Sequence, residues 1–250
     1  MFADRVVCWE PTDAADPVVR AAGKLYEETL DADERIPWAW IERSVGDHGR
    51  KPGGWVRHLI LAADGRSDDP AALLGYAYGA FLPGYGGYVC YVGVAEAARR
   101  RGVGQRLFGA MFAALAADAA AAGEELPFVV WESYRPGPDD PPAAHKLWEA
   151  RVRLFDRAGG LWVEGVDFLS PNFADPDGLP VPLQLFVKPV AVPAAAFDAD
   201  RLRRLVRGLL GKVYREQPGG PLYEGTLRPG LKPRLVPAAK AVSRLPAKLS

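Results

Sequence analysis

The sequence predicts an α/β (α+β) fold in which a mixed β-sheet is flanked by helices. Short runs rich in β-branched and aromatic residues alternate along the chain with amphipathic helical patterns. Consecutive strand-like runs then precede a strand–loop–helix unit, an order that is typical of a mixed sheet. The 250 residues are 49% hydrophobic and 25% charged, which is the composition of an ordinary globular protein.

The first half of the chain contains four predicted strands and three predicted helices. A strand at residues 6–9 is followed by a helix that begins at Asp16 and Pro17, a good N-cap and first-turn pair, and continues to Thr29. A short helix is expected near Pro37, and strands are expected at 58–63, 73–81 and 88–94. The third helix has apolar residues on one stripe and ends near Gly123. Its stripe consists of Val103, Leu107, Met111 and Leu115.

The second half continues the alternation and ends in an extension. A strand at 127–131 runs on to Glu132, Ser133 and Tyr134, and a helix over 143–158 stops at two glycines. Segments 161–169 and 183–187 are expected to form a final hairpin.

The loop between the strand at 88–94 and the third helix has the features of an anion site. It reads Arg99-Arg100-Arg101-Gly102-Val103-Gly104. Glycine lets the backbone approach a ligand closely, and the first N–H groups of a helix stabilise phosphate oxygens. A dinucleotide-binding fingerprint is excluded because Leu107 stands where its third glycine belongs, and no P-loop motif is present. We therefore expect a diphosphate of another kind.

This loop resembles the coenzyme A signature of the GNAT superfamily of N-acetyltransferases, R-x-x-G-x-G, with Arg99, Gly102 and Gly104 at the marked positions. The predicted element order over about residues 5–190 is similar to that of the same family. The resemblance implies a central, mostly antiparallel mixed sheet and transfer of an acetyl or related acyl group from acetyl-CoA to an amine. A small molecule or a protein could supply that amine.

The resemblance also implies site residues. An amide near Val94 would polarise the thioester carbonyl, and Glu132 is the candidate general base, acting through water. Glu34, Trp38, Tyr85 and Tyr134 are candidate acceptor contacts, with Tyr91 and His145 as further candidates for proton handling. The implied coenzyme contacts are Val92, Gly93, Val94, Arg99, Arg100, Arg101, Gly102, Val103, Gly104 and Gln105.

One departure from the family pattern concerns the general acid. Aligned on Leu154 and Gly159, the chain has Phe155 where the family often has the tyrosine that protonates the coenzyme thiolate. A phenyl ring cannot donate a proton. A second function class therefore stays open, namely an acyl-CoA-binding sensor or interaction module without catalytic activity.

Residues 191–250 are predicted to extend beyond the transferase domain at 1–190. A basic amphipathic helix is expected over about 198–217, followed by a Pro-rich extended arm. The apolar stripe of this helix would dock on its own domain or on a second subunit, as in a homodimer, or alternatively bind a membrane surface. Residues 222–250 carry six basic and one acidic side chain, a net of five positive charges, which allows a nucleic-acid-associated alternative.

The charge and composition also argue against three features: general nucleic-acid binding, a metal site and a membrane segment. A formal net charge of zero argues against a general nucleic-acid binder. The three histidines and two cysteines are scattered, so no metal site is expected. No apolar run is long enough to span a bilayer, and the N-terminal residues lack the apolar core of a signal peptide. We therefore expect a cytoplasmic protein that has no integral membrane segment.

Overall fold

The computed structural model describes residues 6–46, 55–65, 69–175 and 177–243. The chain forms two compact units. The first unit runs to Leu126 and includes a short return segment that begins at Phe173, and the second contains the other residues from Pro127 onward. Each unit has its own set of paired strands and its own helices.

The first unit contains an antiparallel sheet of four strands in the order β1-β2-β3-β4. The predicted elements are confirmed, and β1 and the end of α1 match to the residue. In α1 the Asp16 carboxylate accepts a hydrogen bond from the Val18 N–H at 2.8 Å, as the cap signal predicts. The elements are β1 Val6–Trp9, α1 Pro17–Thr29, α2 Trp38–Glu42, β2 Val56–Asp64, β3 Leu73–Leu82, β4 Gly86–Val94 and α3 Val103–Ala121.

Two glycines in β3 determine how closely α3 packs on this sheet. A Cβ added at Gly75 would lie 3.0 Å from Leu107 Cδ1, and one added at Gly79 would lie 2.9 Å from Met111 Sδ. Because strand side chains alternate between faces, Tyr76 and Tyr78 point to the opposite face, where α1 contributes to the core. The helix that follows the candidate anion loop is thus seated directly on β3.

A buried ion cluster centres on His58 in β2. Its Nδ1 lies 3.0 Å from both carboxylate oxygens of Glu10, and its Nε2 lies 2.5 Å from Asp118 Oδ2 in α3. Burial by itself lowers the pKa of His58, but the hydrogen bonds and charges of the two carboxylates outweigh it, and the pKa is raised. The imidazolium therefore links the first strand segment, the sheet and α3.

The raised pKa of His58 predicts a specific pH dependence of stability. Its stabilisation is complete below the unfolded-state pKa of about 6.5 and is lost as pH rises through the folded-state value. Each pH unit between the two pKa values costs about 1.4 kcal/mol of unfolding free energy. Denaturant unfolding of the wild type and of His58→Gln, from pH 5 upward, measures this difference.

The variant should be less stable throughout, and its deficit should shrink as pH rises. His145→Gln serves as the control, because His145 is half-buried on α4 and has no part in this cluster. A deficit for His58→Gln that does not change with pH would contradict a charged His58.

The second unit is also built on antiparallel pairing. Strand β8 pairs with β5, β6 and β7, and β9 pairs with β6. The antiparallel strand pairing within each unit and the flanking helices confirm the α+β class with mostly antiparallel strands. The elements are β5 Phe128–Tyr134, α4 Pro142–Arg157, β6 Leu161–Glu164, β7 Phe168–Ser170, β8 Val181–Pro189, α5 Ala199–Val206, a π-helical turn Arg207–Val213, α6 Pro221–Thr226, β9 Arg234–Pro237 and α7 Lys240–Ser243.

The segment predicted as one strand at 161–169 is broken into two. Gly165 has a φ of +88°, in the left-handed region that favours glycine, and it ends β6. As a result Trp162 pairs with Phe186 of β8, whereas Phe168 pairs with Leu183 of the same strand. The two parts of the predicted strand, β6 and β7, therefore pair with β8 at different places.

The C-terminal extension is packed into the second unit. The helix expected over about 198–217 is an α-helix only to Val206 and continues as a π-helical turn, and the apolar stripe of both is buried. The buried stripe residues are Leu202, Leu205, Val206, Leu209 and Leu210. The segment expected as an extended arm instead contains α6, β9 and α7, and β9 covers the edge of β6.

The described residues contain neither a membrane-spanning helix nor a cluster of metal ligands. No helix there has both the length and the apolar character needed to cross a membrane. Within the same ranges, no group of three or more His, Cys, Asp or Glu side chains is arranged so that it could hold a metal ion.

Candidate functional site

The loop that leads from β4 into α3 is a tight backbone structure. After Val94 a short 3₁₀ turn forms at Glu96–Ala98, and the N–H of Arg101 donates to the Ala98 carbonyl at 3.3 Å. Gly102 then adopts a φ of +80°, and α3 begins at Val103. A side chain at Gly102 would be strained because of this φ, although the space around it is open.

The N-terminus of α3 follows directly on Gly102. Among the described residues no side chain caps it, because the N-cap position is occupied by Gly102. The Arg106 N–H is bonded to the Gly102 carbonyl at 3.1 Å, so the intrahelical pattern begins only there. Preceding amides at the start of a helix stabilise anionic oxygens.

The three consecutive arginines are placed differently. Arg99 and Arg100 are exposed beside the helix N-terminus, and Arg100 has a φ of +67°. The guanidinium of Arg101 lies 3.6 Å from Asp64 Oδ2 at the end of β2. The charge of Arg101 therefore serves an ion pair, which leaves Arg99 and Arg100 as the arginines best placed to meet a diphosphate.

Strand β4 contains an irregularity at a different residue from the one predicted. The pairing with β3 shifts between Tyr78 and Gly79, so that Cys90 is an extra residue in β4. Gly93, where a bulge or close ligand approach was expected, is instead covered by a side chain: an added Cβ would lie 2.2 Å from the Tyr76 ring. Val92 and Val94 on either side are half-buried.

The segment expected to contact the acceptor is held in place by two tyrosines. The Tyr91 hydroxyl donates to the Glu34 carbonyl at 2.9 Å and accepts from the Ile36 N–H at 3.2 Å. The Tyr26 hydroxyl donates to the Ile36 carbonyl at 2.9 Å. Burial raises the pKa of Tyr26, so its phenol stays protonated. Tyr91, a candidate for proton handling, thus has a positioning role.

Two other candidate acceptor contacts also lie in the first unit. Trp38 packs over Gly23 of α1, where an added Cβ would lie 2.8 Å from Trp38 Nε1, and its ring centroid is 5.5 Å from that of Tyr26. Tyr85 is half-buried in the β3–β4 turn, and its N–H donates to the Leu82 carbonyl at 2.9 Å.

Glu132, the candidate general base, lies near the end of β5 in the second unit. The hydroxyl of Tyr214 donates a hydrogen bond to its Oε1. Tyr214 follows the π-helical turn of the C-terminal extension and is 82 residues away in the chain. No local pattern in the sequence indicates this contact, because it depends on where the extension packs.

Tyr134, two residues after Glu132, organises the loop that follows β5. Its hydroxyl donates to Asp140 Oδ2 at 2.7 Å, and the Gly137 N–H donates to the same oxygen at 2.7 Å. The hydrogen bond from Tyr134, followed by that from Gly137, lowers the pKa of Asp140. The side chain expected to contact the acceptor therefore shapes the loop beside it.

Phe155 lies within an aromatic cluster of the second unit. Its ring centroid is 4.8 Å from that of Phe186 and 5.7 Å from that of Trp131, and the residue is 7% exposed. Phe155, which stands where the family often has a tyrosine, is therefore a core residue of the second unit.

Comparison with known proteins agrees with this arrangement. The family model described as acetyltransferase (GNAT) family matches residues 20–129, which include β4, the glycine loop and α3. No curated protein sequence matches this chain.

Solved structures are similar to this chain, and the first of them shares its fold. A putative GNAT-family acetyltransferase from Bacteroides thetaiotaomicron is 16% identical, with a TM-score of 0.55 over 84% of this chain and 99% of that one. The ribosomal-protein-S18-alanine N-acetyltransferase of Escherichia coli is 10% identical, with a TM-score of 0.45 over 77% and 98%. Residues 20–129 are therefore identified as an acetyltransferase domain of the GNAT family, which supports an acyltransferase activity.

Proposed function

We propose that this enzyme transfers an acetyl group from acetyl-CoA to a primary amine. The observation that carries the proposal is the N-terminus of α3, which follows Gly102 at positive φ and lies beside the exposed Arg99 and Arg100. In this assignment residues 1–190 form the transferase domain and 191–250 its extension. The protein is expected in the cytoplasm, and a homodimer is compatible with it.

The chain's own groups would bind the donor in three places. The amides of Val103 to Gln105, with Gly104 between them, hold the diphosphate, and Arg99 and Arg100 neutralise part of its charge. Backbone groups of Val92 and Val94 line the pantetheine arm. The N–H near Val94 donates to the thioester carbonyl and stabilises the oxyanion that develops there.

The reaction then needs one base and no strong acid. An amine is protonated at neutral pH, so Glu132 takes up a proton, through water, before the nitrogen attacks the acyl carbon. Attack forms the C–N bond and an oxyanion, and collapse of the oxyanion breaks the C–S bond, so that the coenzyme A thiolate leaves with the electron pair. The remaining excess proton on the nitrogen passes to the thiolate, directly or through water. Because a thiolate is a good leaving group, Phe155 in place of a proton donor is tolerated. Glu34, Trp38, Tyr85 and Tyr134 are the residues proposed to contact the acceptor.

Coenzyme binding tests the first half of the proposal. Gly104→Glu adds a side chain and a negative charge at the first turn of α3, and it should weaken acetyl-CoA binding at least about 10-fold in calorimetry. The matched control is Gly109→Glu on the same helix, where an added Cβ meets nothing within 4 Å.

Because Gly104 is buried, a loss of binding in Gly104→Glu could also come from misfolding. A second pair of variants therefore changes exposed residues. Arg99→Glu should also weaken binding, whereas Arg204→Glu, an exposed residue of α5, should not. Unchanged affinity in folded Gly104→Glu and Arg99→Glu would contradict the assignment of this loop.

Turnover tests the second half. Acetyl-CoA is incubated with spermidine, an N-terminal alanine peptide, a lysine-containing peptide and a small aromatic amine, and thiol release is measured. Acetylation of any one of them supports the proposal and indicates the acceptor class. Tight binding of acetyl-CoA without turnover would instead match a non-catalytic acyl-CoA-binding module.

A further inference from the structure

Glu132 lies on the face of β5 that the C-terminal extension covers. Successive strand residues point to opposite faces, so Phe128 and Glu132 share one face and Trp131 lies on the other. On the Trp131 face the strand packs against Phe155 of α4, with ring centroids 5.7 Å apart. A segment other than α4 must therefore pack on the face that carries Glu132.

The extension supplies that cover at both ends of the strand. Near the start of β5 the rings of Phe128 and Phe197 meet edge to face, with centroids 5.4 Å apart. Near its end the Tyr214 hydroxyl donates to Glu132 Oε1. Phe197 and Tyr214 of the extension thus contact one face of β5 at its first residue and at the candidate base.

Tyr214 is held by an unusual piece of backbone. Its N–H donates to the Leu209 carbonyl at 3.0 Å, an i to i−5 bond that continues the π-helical turn. Leu209 and Leu210 are fully buried and anchor this turn, and Arg215 follows with a φ of +59°. The Tyr214 ring also packs near Phe168, with centroids 6.3 Å apart. Single π-helical turns inside helices frequently occur at functional sites.

We propose that Tyr214 is a positioning residue for Glu132, so that the C-terminal extension completes the active site. The phenol fixes one carboxylate oxygen, which restricts rotation of the carboxylate and holds it ready to take up the amine proton. The inference rests on the proposed function, because it assigns Tyr214 a role through the base of that reaction.

The test replaces only the hydroxyl. Tyr214→Phe should lower kcat about 10-fold, since a hydrogen bond to a charged group is lost, and leave the Kd of acetyl-CoA unchanged. Tyr78→Phe is the matched control, because Tyr78 is a buried tyrosine of β3 in the first unit and has no part in the proposed site. Its kcat should equal that of the wild type.

A double variant separates positioning from general packing. In the Glu132→Gln background the base is absent, so adding Tyr214→Phe should not lower kcat any further. Equal additional losses in both backgrounds would overturn the proposal. So would a kcat for Tyr214→Phe at or above the wild-type value, which would mean that the hydroxyl restrains the base rather than positions it.

A measurement without turnover distinguishes failure of this inference from failure of the proposed function. If no amine is acetylated, the proposed function fails, yet the coupling between Tyr214 and Glu132 can be measured from unfolding free energies of Tyr214→Phe, Glu132→Ala and the double variant. Non-additive values support the contact that the inference requires, and additive values overturn it.

Discussion

Replacing Glu132 with Gln is expected to lower the rate of amine acetylation about 100-fold, the contribution of a positioned general base. The amide keeps the shape of the side chain and can still accept the hydrogen bond from Tyr214. The loss should be greatest at pH values below the pKa of the amine, where nearly every acceptor molecule must lose a proton before it reacts. A pH–rate profile with one amine that turns over measures both the size and the pH range of the effect.

The matched control is Glu125→Gln, an exposed glutamate just before β5. It removes the same charge from the protein and should leave the profile unchanged. An unaltered profile for Glu132→Gln would remove this residue from the mechanism, while a uniform loss at every pH would indicate an effect on acceptor binding.

Removing residues 197–250 is expected to abolish cooperative unfolding of the second unit. The extension buries five large apolar side chains in α5 and the π-helical turn, and each contributes about 1.5–3 kcal/mol. Their sum is comparable to the whole stability of a typical domain, about 5–15 kcal/mol. The truncation also uncovers the edge of β6, where Trp162 pairs with Val236. Circular dichroism melting curves and light scattering measure the outcome.

Two further variants make this result interpretable. A chain that ends after Ser243 keeps every described element and should melt as the full-length protein does. Leu210→Ala removes one fully buried side chain and should cost about 2–5 kcal/mol of unfolding free energy. If the long truncation melts normally and the full-length protein binds anionic vesicles, the helix instead serves a membrane surface.

The elements of this fold follow from short-range chemistry. The cap at Asp16, the glycine before α3 and the apolar stripe of α3 each involve residues within one or two turns of one another. Such signals depend on backbone geometry and on side-chain periodicity, both of which are properties of a short segment. For this reason the candidate coenzyme loop and most element bounds could be predicted from the sequence.

The contacts that define the candidate site are of another kind. Asp64 takes up the charge of Arg101, the Tyr76 ring covers Gly93, and Tyr214 reaches Glu132 across 82 residues. In the first unit His58 bonds Asp118 at a separation of 60 residues. No periodicity or motif relates residues so far apart, because their proximity depends on strand register and on the packing of whole elements. Spacing could therefore indicate a diphosphate-binding loop, and the family resemblance a candidate base, but only the folded chain shows that the extension carries a hydrogen-bond partner for Glu132.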